Sequence, residues 1–391
     1  MANKNRIFVI ALVMFFLVIM GGLKTEAHAE HWYKWDYSSN EYWMTNNWTW
    51  LSMQDLRYLV LPGSHDAGMS ETHYCAELSP GLTFTKESHT RTQVLNIAEQ
   101  LKQGIRFFDL RPAYERDRNR LWMAHASQLI GEYGIVINGG CAGELFDTVM
   151  NAVINFAVDH PRELIVLKFG HYWTFEGSPN KWEDPVYKYA NYYQFLTDII
   201  FTKIYWFENP TGRLRDHLIG CSSSDCSREL LTKNLRELMA NGKNVIMLLE
   251  RAKDSGFHYP SYGVLDAKDL PIYDEYSDTE YVDRMAEDQI KKLRSFNPSA
   301  GLFLLSWTLT QSSDEAMACA APLFFNGCTS VLEFAQRAND NFERLFLSRW
   351  CELIKSGYFL PSIILFDWAD ADKTRWTQKV HTLYKGIESC P

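Results

Sequence analysis

The stretch that decides the fold is LVLPGSHDAGMS, residues 59–70, in which an apolar run ends in Pro-Gly and is followed at once by His65 and Asp66. Short apolar runs bounded by turn residues are typical of buried strands. Side chains alternate between the two faces of a strand, so Leu61, Gly63 and His65 share one face. The strand therefore places the ionisable side chains of His65 and Asp66 at its carboxyl end.

Six further short runs, rich in Val, Ile, Leu and Phe, follow the run at 58–63. They alternate with longer segments of helical periodicity, such as 144–158 and 281–294. This alternation is typical of βα units around a parallel sheet. Because seven strands are visible and an eighth can lie in the irregular middle of the chain, we predict an α/β fold, a (β/α)8 barrel. The further predicted strands are 104–110, 120–124, 163–167, 244–249, 301–305 and 362–366.

Polar side chains stand at the carboxyl ends of six of these strands. Following alternate residues from the apolar part of each strand leads to polar groups on the same face. In a barrel of parallel strands these ends meet at one mouth, where catalysis occurs. The residues reached in this way are His65, Asp109 with Arg111, His125, Lys168, Arg251 and Asp367.

Each of these residues, taken alone, has a structural explanation. A single histidine at a strand end more often makes a local hydrogen bond than catalyses a reaction, and Asp109 with Arg111 could be a salt bridge. Two histidines, several carboxylates and several cations at one end of a sheet would be a costly cluster for a purely structural role. We therefore predict a functional site at the mouth.

This set of side chains suits metal-free phosphoryl transfer. One histidine can take a proton from a hydroxyl nucleophile, and the other can give a proton to the leaving oxygen. A guanidinium can hold two phosphate oxygens in its planar fork. Asp367 lies behind His65 if the last strand closes against the first, where it can fix the tautomer of that histidine.

Five motifs follow one another along the chain: LPGSHDAG (61–68), QLKQGIRFFDLRP (100–112), LWMAHAS (121–127), HPRELIVLK (160–168) and IILFDW (363–368). They resemble the successive strand motifs of the X domain of phosphatidylinositol-specific phospholipase C, in its bacterial-type, single-domain, metal-independent form. The resemblance runs from about residue 51 to residue 385. It implies a distorted TIM-like barrel.

The resemblance implies roles position by position. His65 resembles the general base that activates the inositol 2-hydroxyl, and Asp367 resembles its carboxylate partner. His125 resembles the general acid that protonates the diacylglycerol oxygen, assisted by Asp66. Arg111 resembles the phosphate-binding arginine that stands in the place of calcium in metal-dependent relatives, so no metal or other cofactor is expected. Contacts with the inositol hydroxyls are implied for Lys168, Arg251, Asp274 and Tyr276.

The predicted function is cleavage of an inositol phospholipid to diacylglycerol and a cyclic inositol phosphate. A metal-dependent glycerophosphodiester or sphingomyelin phosphodiesterase also uses two histidines on a barrel. That class needs carboxylates for magnesium, and Arg111 beside Asp109 would repel a dication. A non-catalytic phospholipid-binding protein is the third interpretation; its signature would be the loss of a histidine, and both are present.

The formal net charge of −9 restricts the partners of the chain. Nucleic acid is bound through basic patches, so this acidic chain is not expected to bind it. We expect a monomer that meets its phospholipid substrate peripherally, at a membrane interface, and holds the anionic headgroup by a local site.

Residues 1–29 are predicted to be a secretory signal. Two basic residues precede an apolar stretch at 7–23, and Ala27-His28-Ala29 has the small-x-small form of a cleavage site. An uncleaved membrane anchor is the alternative, because 17 residues approach the length that spans a bilayer. The predicted location is therefore extracellular.

An aromatic-rich segment at 30–50 precedes the predicted barrel domain, residues 51–391. Its Trp and Tyr side chains would suit a membrane interface. We favour a plug at the bottom of the barrel, because the segment precedes the first strand and so starts at the end opposite the site.

Eight cysteines in a secreted chain predict disulfides. Two pairs are close enough in sequence to close small loops, namely Cys221 with Cys226 and Cys319 with Cys328. The other four, which need long-range pairs, are Cys75, Cys141, Cys351 and Cys390. The sequence contains no short-spaced Cys/His cluster of the kind that binds zinc, so a zinc site is not expected.

An insertion at 173–235 could cap the mouth of the barrel.

Overall fold

The computed structural model describes residues 34–79, 82–83, 86–130, 136–177, 180–183, 192–256, 258–312, 315 and 328–390. Its strands, numbered in chain order, are β1 (Leu61–Ser64), β2 (Glu77–Ser79), β3 (Leu82–Thr83), β4 (Phe107–Leu110), β5 (Pro112–Glu115), β6 (Arg120–Ile130), β7 (Val136–Leu145), β8 (Ile165–Phe169), β9 (Trp173–Gly177), β10 (Asn180–Glu183), β11 (Glu208–Asn209), β12 (Gly212–Arg213), β13 (Val245–Leu249), β14 (Leu265–Asp266), β15 (Ile272–Tyr273), β16 (Leu302–Trp307) and β17 (Ile363–Phe366).

The α-helices are α1 (Trp43–Asn46), α2 (Trp48–Leu51), α3 (Glu87–Thr90), α4 (Ile97–Lys102), α5 (Phe146–Asp159), α6 (Tyr192–Tyr205), α7 (Cys226–Thr232), α8 (Leu235–Leu238), α9 (Ala252–Ser255), α10 (Val282–Ser295), α11 (Val331–Asn339), α12 (Ser348–Lys355) and α13 (Ala371–Tyr384). The periodic segments 144–158 and 281–294 correspond to α5 and α10, so both helix predictions are confirmed.

Eight strands form a parallel sheet that curls into an open, TIM-like barrel, in the order β14-β13-β8-β4-β1-β17-β16-β15. The first and last segments of the chain meet at its centre, where Gly63 of β1 pairs with Leu365 of β17 and with Phe107 of β4. The predicted α/β barrel class is confirmed. The edge strands β14 and β15 were not predicted, because two residues each carry no detectable alternation.

The two faces of the parallel sheet bury different sets of side chains. The outer face packs under the helices, so that Phe108 lies in one apolar cluster with Val149 of α5 and Val380 of α13. The inner face forms a second cluster, which contains Leu61, Phe107, Val166 and Leu365. These are the residues whose alternation leads to His65, Asp109, Lys168 and Asp367. The predicted inward direction of those four strand ends is confirmed.

The predicted facing of β13 is wrong. Val245, Met247 and Leu249 lie in the outer cluster, whereas Ile246 and Leu248 lie in the inner one. All five residues of this strand are apolar and buried, so its sequence contains no polar position that would mark either face. The alternation therefore leads to Glu250, not to Arg251, at the mouth.

The run at 120–124 is a strand, but its predicted place in the barrel is wrong. It opens β6, which belongs to a separate five-stranded sheet of order β10-β9-β5-β6-β7 and pairs antiparallel with both β5 and β7. The chain leaves β4 at Leu110, enters this second sheet at Pro112 and reverses near Asn119, whose φ of 50° is left-handed. Arg111 thus lies at the junction between the two sheets.

The aromatic N-terminal segment closes the amino-terminal end of the barrel, as favoured by the sequence. Trp35 and Trp43 are buried in the same cluster as the inner-face residue Leu61. The Trp43 indole Nε1 donates to the carbonyl of Gly104, which lies before β4. Gly104 has φ 95°, and a Cβ there would lie 2.6 Å from Thr374, so this approach requires glycine. The predicted signal at 1–29 lies outside the described residues.

Three disulfides join described residues: Cys75–Cys141, Cys221–Cys226 and Cys351–Cys390. The predicted Cys221–Cys226 loop is confirmed, and the four other cysteines form the two long-range pairs. Cys328 is disulfide-bonded, and its predicted partner Cys319 lies outside the described residues.

In the insertion at 173–235, β9 and β10 extend the second sheet beside β5. Among the described helices, none has the length and apolar character that crossing a bilayer requires.

Candidate functional site

His65 and Asp367 are brought together by neighbouring strands. Ser64 of β1 pairs with Phe366 of β17, and each following residue projects beyond its strand. The ladder continues one step further, because the backbone N–H of His65 donates to the carbonyl of Phe366. His65 Nδ1 then lies 2.7 Å from Asp367 Oδ1. This contact was predicted from the closure of the last strand on the first.

Arg111 lies at the centre of the site. Its Nη2 is 2.9 Å from His65 Nε2 and 3.2 Å from the Tyr276 hydroxyl. The same guanidinium pairs with Asp109 at 3.0 Å and with Asp66 at 2.5 Å. A guanidinium can only donate, so His65 Nε2 is the acceptor of the Arg111 contact. His65 Nδ1 therefore carries the proton and donates to Asp367, and the Nε2 lone pair is occupied by the Arg111 donor.

Asp66 lies between the two histidines. Its Oδ2 is 3.5 Å from His65 Nε2 and 3.5 Å from His125 Nδ1. Its backbone has φ 42°, in the left-handed region, which turns the side chain inward as the chain leaves β1. Both carboxylate oxygens are buried, and Oδ1 is paired with the Arg111 guanidinium. A carboxylate accepts several hydrogen bonds, so Asp66 can also accept from a proton-bearing ligand.

His125 approaches the site from the second sheet. Its ring centroid lies 6.5 Å from that of His65. His125 Nδ1 is 3.1 Å from the backbone carbonyl of Thr90, which can only accept, so Nδ1 carries a proton. The other ring nitrogen, Nε2, is then the one that can exchange a proton with a ligand. Both histidines thus contact Asp66, and His65 also contacts Arg111.

The two histidines have opposite pKa shifts. Burial lowers the pKa of His65, but the carboxylates of Asp66 and Asp367 outweigh burial, and the net shift is upward. Burial also lowers the pKa of His125, where Asp66 offsets only part of the effect and Arg111 adds to it, so the net shift is downward. His65 is therefore the stronger base of the pair.

A second group of polar side chains lies beside Arg111. Lys168 contacts Asp274, as the predicted grouping requires. Burial lowers the pKa of Lys168, but Asp109 and Asp274 outweigh burial and raise it, so the amine stays charged. Burial raises the pKa of Tyr276 well above its ordinary value, so its hydroxyl stays protonated. The Tyr276 ring lies 5.4 Å from the ring of His65.

Arg251 is not brought to this group. It follows the outer face of β13, its side chain is 46% exposed, and it pairs with Asp254 at 3.4 Å. The residue that projects inward from β13 is Glu250, whose Oε2 accepts from the backbone N–H of His171 at 2.9 Å. Counting the alternation of β13 from Ile246 would have identified Glu250.

Sequence reasoning also missed the residues that hold His65 in place. The Gln93 side chain donates to the carbonyl of His65 at 2.7 Å and accepts from the backbone N–H of Ala369 at 2.9 Å. Asn339 donates to the carbonyl of Asp367 at 3.0 Å. These amides tie β1 to the loop after β17. No sequence pattern marks them, because the contacts join segments far apart in the chain.

Three side chains that could bind a metal converge in the site: donor atoms of His65, Asp66 and Asp109 lie within 4.8 Å of one another. Calcium and magnesium prefer such clustered oxygen ligands. Each of the three side chains also contacts the guanidinium of Arg111. A dication would therefore compete with a permanent cation for the same oxygens.

Comparison with known proteins supports the resemblance. No protein-family model matches the chain. A PI-PLC X domain-containing protein of Dictyostelium discoideum is 38% identical over 103 residues, which cover 23% of this chain and 18% of that protein. PI-PLC X domain-containing protein 3 of Danio rerio is 30% identical over 151 residues, 34% of this chain and 42% of that protein. The chain thus spans less than half the length of these relatives.

Among solved structures, the phosphatidylinositol-specific phospholipase C from Listeria monocytogenes is similar, with a TM-score of 0.50 and 15% sequence identity. The match covers 88% of this chain and 98% of that protein. At this identity the likeness concerns the fold alone. The similarity to PI-PLC X domain-containing proteins confirms the resemblance stated from the motifs.

Proposed function

We propose that the chain is a phosphodiesterase of the phosphatidylinositol-specific phospholipase C type, which cleaves the inositol phospholipid to diacylglycerol and a cyclic inositol phosphate. One observation carries the proposal: His65, backed by Asp367 and in contact with Arg111, and His125 both face the carboxylate of Asp66, with 6.5 Å between the ring centroids. A base, an acid and a phosphate-binding guanidinium are what an in-line displacement at phosphorus requires.

The reaction is an intramolecular transfer. His65 Nε2 takes the proton of the inositol 2-hydroxyl, and the oxygen attacks the phosphorus. The bond between phosphorus and the diacylglycerol oxygen breaks, and that oxygen receives a proton from His125. Asp367 stabilises the imidazolium that forms on His65. The products are diacylglycerol and the cyclic phosphate, and no water is consumed.

Arg111 changes partners when substrate binds. In the structure one of its N–H groups donates to His65 Nε2, the atom that must accept the substrate proton. A phosphodiester oxygen is a stronger acceptor than a neutral imidazole because it is charged. The bound phosphate therefore draws this donor away and frees the lone pair of His65. The base is exposed when the substrate is in place.

The proposal is tested by incubating purified protein with a panel of phospholipids and following the products by phosphorus NMR. We expect phosphatidylinositol to be consumed with the appearance of a five-membered cyclic phosphate. Release of a phosphomonoester with no cyclic intermediate would contradict the proposed nucleophile. Consumption of sphingomyelin or a glycerophosphodiester alone would contradict the headgroup.

A metal-dependent phosphodiesterase is the second candidate, favoured by the convergence of His65, Asp66 and Asp109. The two candidates differ in the role of Arg111. If the guanidinium binds the phosphate, activity survives EDTA, and Arg111→Lys loses about 10²-fold or more in kcat, because lysine cannot make the bidentate contact. Wild-type activity that disappears on chelation and returns with calcium or magnesium would favour the second candidate.

We also propose that the chain is secreted and reaches its substrate peripherally. The support is the basic and apolar N-terminus with its small-x-small site and the disulfides that join described cysteines. Expression of the full chain in a secreting host tests this. We expect protein in the medium with its N-terminus at Glu30; retention in the membrane at full length would indicate an anchor.

A further inference from the structure

The mouth of the barrel holds a carboxylate to which no role is assigned, that of Glu250. In the register of the parallel sheet Lys168 pairs with Leu248, so two residues further along Gly170 stands opposite Glu250. The backbone N–H of Glu250 donates to the carbonyl of Phe169, which continues the ladder beyond the strand. Glu250 therefore keeps the inward direction of Ile246 and Leu248, the inner-face residues of β13.

Gly170 makes room for this carboxylate. A Cβ at Gly170 would lie 2.7 Å from Glu250 Oε2 and 3.2 Å from its Cδ, which is too close for both groups to keep their positions. The carboxylate fills the space that a side chain at 170 would take, next to Lys168 on the same inner face. Its Oε2 is held there by the backbone N–H of His171.

We propose that Glu250 is a specificity-determining residue, which accepts a hydrogen bond from a ring hydroxyl of the polyol headgroup beside Lys168. The inference rests on the proposed function. A carboxylate accepts several hydrogen bonds at once, so Glu250 can hold the His171 amide and a ligand hydroxyl together. A hydroxyl can also accept from the Lys168 amine while it donates to Glu250, which matches the two-sided chemistry of a polyol.

The charges around Lys168 define the class of ligand. Asp109 stands opposite Lys168 in the sheet register, and Asp274 contacts the Lys168 amine. On the other side, Glu250 follows two residues after Leu248, the register partner of Lys168, and all three carboxylates act to raise the pKa of the lysine. Such a surrounding repels a second phosphate but favours neutral hydroxyl groups, which can donate to carboxylates. The site is therefore divided into a phosphate half at Arg111 and a hydroxyl half at Lys168 and Glu250.

The test uses Glu250→Gln in the full chain, because the glutamine carbonyl still accepts from the His171 amide while the charge is lost. We expect kcat/KM for phosphatidylinositol vesicles to fall about 10- to 100-fold, the loss expected for a hydrogen bond to a charged group. Binding of free myo-inositol, titrated by NMR, weakens by a similar factor, whereas binding of inorganic phosphate does not weaken. Asp254→Asn, an exposed carboxylate nearby, is the matched control and changes none of these quantities.

Gly170→Ala gives a second, independent perturbation of the same carboxylate. The new Cβ displaces Glu250, so the variant loses activity in the wild-type background but costs little more when added to Glu250→Ala. Additive losses in this double-mutant cycle would contradict the contact. An unchanged kcat/KM and an unchanged myo-inositol affinity in Glu250→Gln would overturn the inference.

The readouts separate this inference from the proposed function. Wild-type turnover of phosphatidylinositol with no effect of Glu250→Gln leaves the function standing and removes the role of Glu250. Binding of myo-inositol that depends on Glu250, in a protein that does not cleave phosphatidylinositol, leaves the hydroxyl site standing and removes the function. A wild-type chain that neither binds myo-inositol nor cleaves phosphatidylinositol overturns both.

Discussion

At the scale of single residues, the candidate site holds two histidines with different surroundings. His65 is held by a carboxylate on Nδ1, and His125 is held by the carbonyl of Thr90 on the equivalent atom. A carboxylate stabilises the charged imidazole much more than a carbonyl does. This difference favours His65 as the group that gains a proton and His125 as the group that loses one.

Replacing either histidine should remove most of the activity and little of the stability. We expect His65→Ala and His125→Ala each to lower kcat by about 10²–10⁴-fold, the usual loss for a general acid or base. Steady-state kinetics with a thermal unfolding scan of each variant provide the measurement. His73→Ala, a partly exposed histidine outside the site, is the control. Near-wild-type turnover in a folded His65 or His125 variant would remove that residue from the mechanism.

Asp367→Asn should change the pH dependence as well as the rate. The substitution removes a negative charge 2.7 Å from His65 Nδ1, so the pKa of His65 falls because its imidazolium loses a partner. The pKa of His65 lies above its ordinary value, and the pKa of His125 lies below its own. Because the higher of the two pKa values sets the alkaline limb of the kcat/KM profile, that limb belongs to His65. We expect this limb to move to lower pH while the maximum rate drops. Movement of the acidic limb instead would reverse the order of the two pKa values.

At the scale of elements, the position of His125 depends on a strand outside the barrel. Cys141 of β7 pairs opposite His125 of β6, and its disulfide to Cys75 attaches the loop that follows Asp66. Backbone hydrogen bonds join the same segments, because the N–H of Ala76 donates to the carbonyl of Gly140. The disulfide therefore links the loop after Asp66 to the strand that pairs with His125.

The double variant Cys75→Ala/Cys141→Ala tests this link against Cys351→Ala/Cys390→Ala. The two disulfides span 66 and 39 residues, so loop-closure entropy assigns each a similar contribution to stability, about 4 kcal/mol. We expect comparable falls in Tm for the two variants. At a temperature where both remain folded, we expect kcat to fall only in the Cys75→Ala/Cys141→Ala variant. Equal kcat values in the two variants would show that the disulfide has no part in positioning His125.

The element scale also shows what the sequence could predict. His65, Asp109, Lys168 and Asp367 follow strands in which a single alternation continues from apolar residues to the polar end, and all four point inward. Arg251 follows a strand that is apolar on both faces, so its direction could not be read from the pattern. The sheet to which β6 belongs depends on pairing partners far along the chain, and periodicity within one segment contains no information about them.

At the scale of the whole molecule, the residues that close the barrel and the candidate site lie at its opposite ends. The amino-terminal end is closed by buried aromatic residues, among them Trp43. A fully buried cation, Arg106, pairs there with Glu163 at 2.7 Å and donates to the carbonyl of Glu41 at 2.6 Å. The carboxyl-terminal end carries the histidines and Arg111. In parallel barrels the residues at the amino-terminal end stabilise the fold, and those at the carboxyl-terminal end perform the chemistry.

This division predicts that the closing segment can be weakened without loss of chemistry. Trp43→Ala truncates a residue that is 2% exposed, so we expect the free energy of unfolding to fall by about 3–5 kcal/mol, as for other large-to-small changes of buried aromatic residues. The kcat/KM measured well below the lowered Tm should stay within about twofold of wild type, because the indole contacts Gly104, before β4, and no group of the site. Trp206→Ala, at a residue that is 63% exposed, is the matched control and should change the free energy of unfolding by less than about 0.5 kcal/mol. A Trp43 variant that unfolds at the wild-type temperature would contradict the closing role of this segment, and one that keeps its fold but loses turnover would show that the two ends of the barrel are coupled.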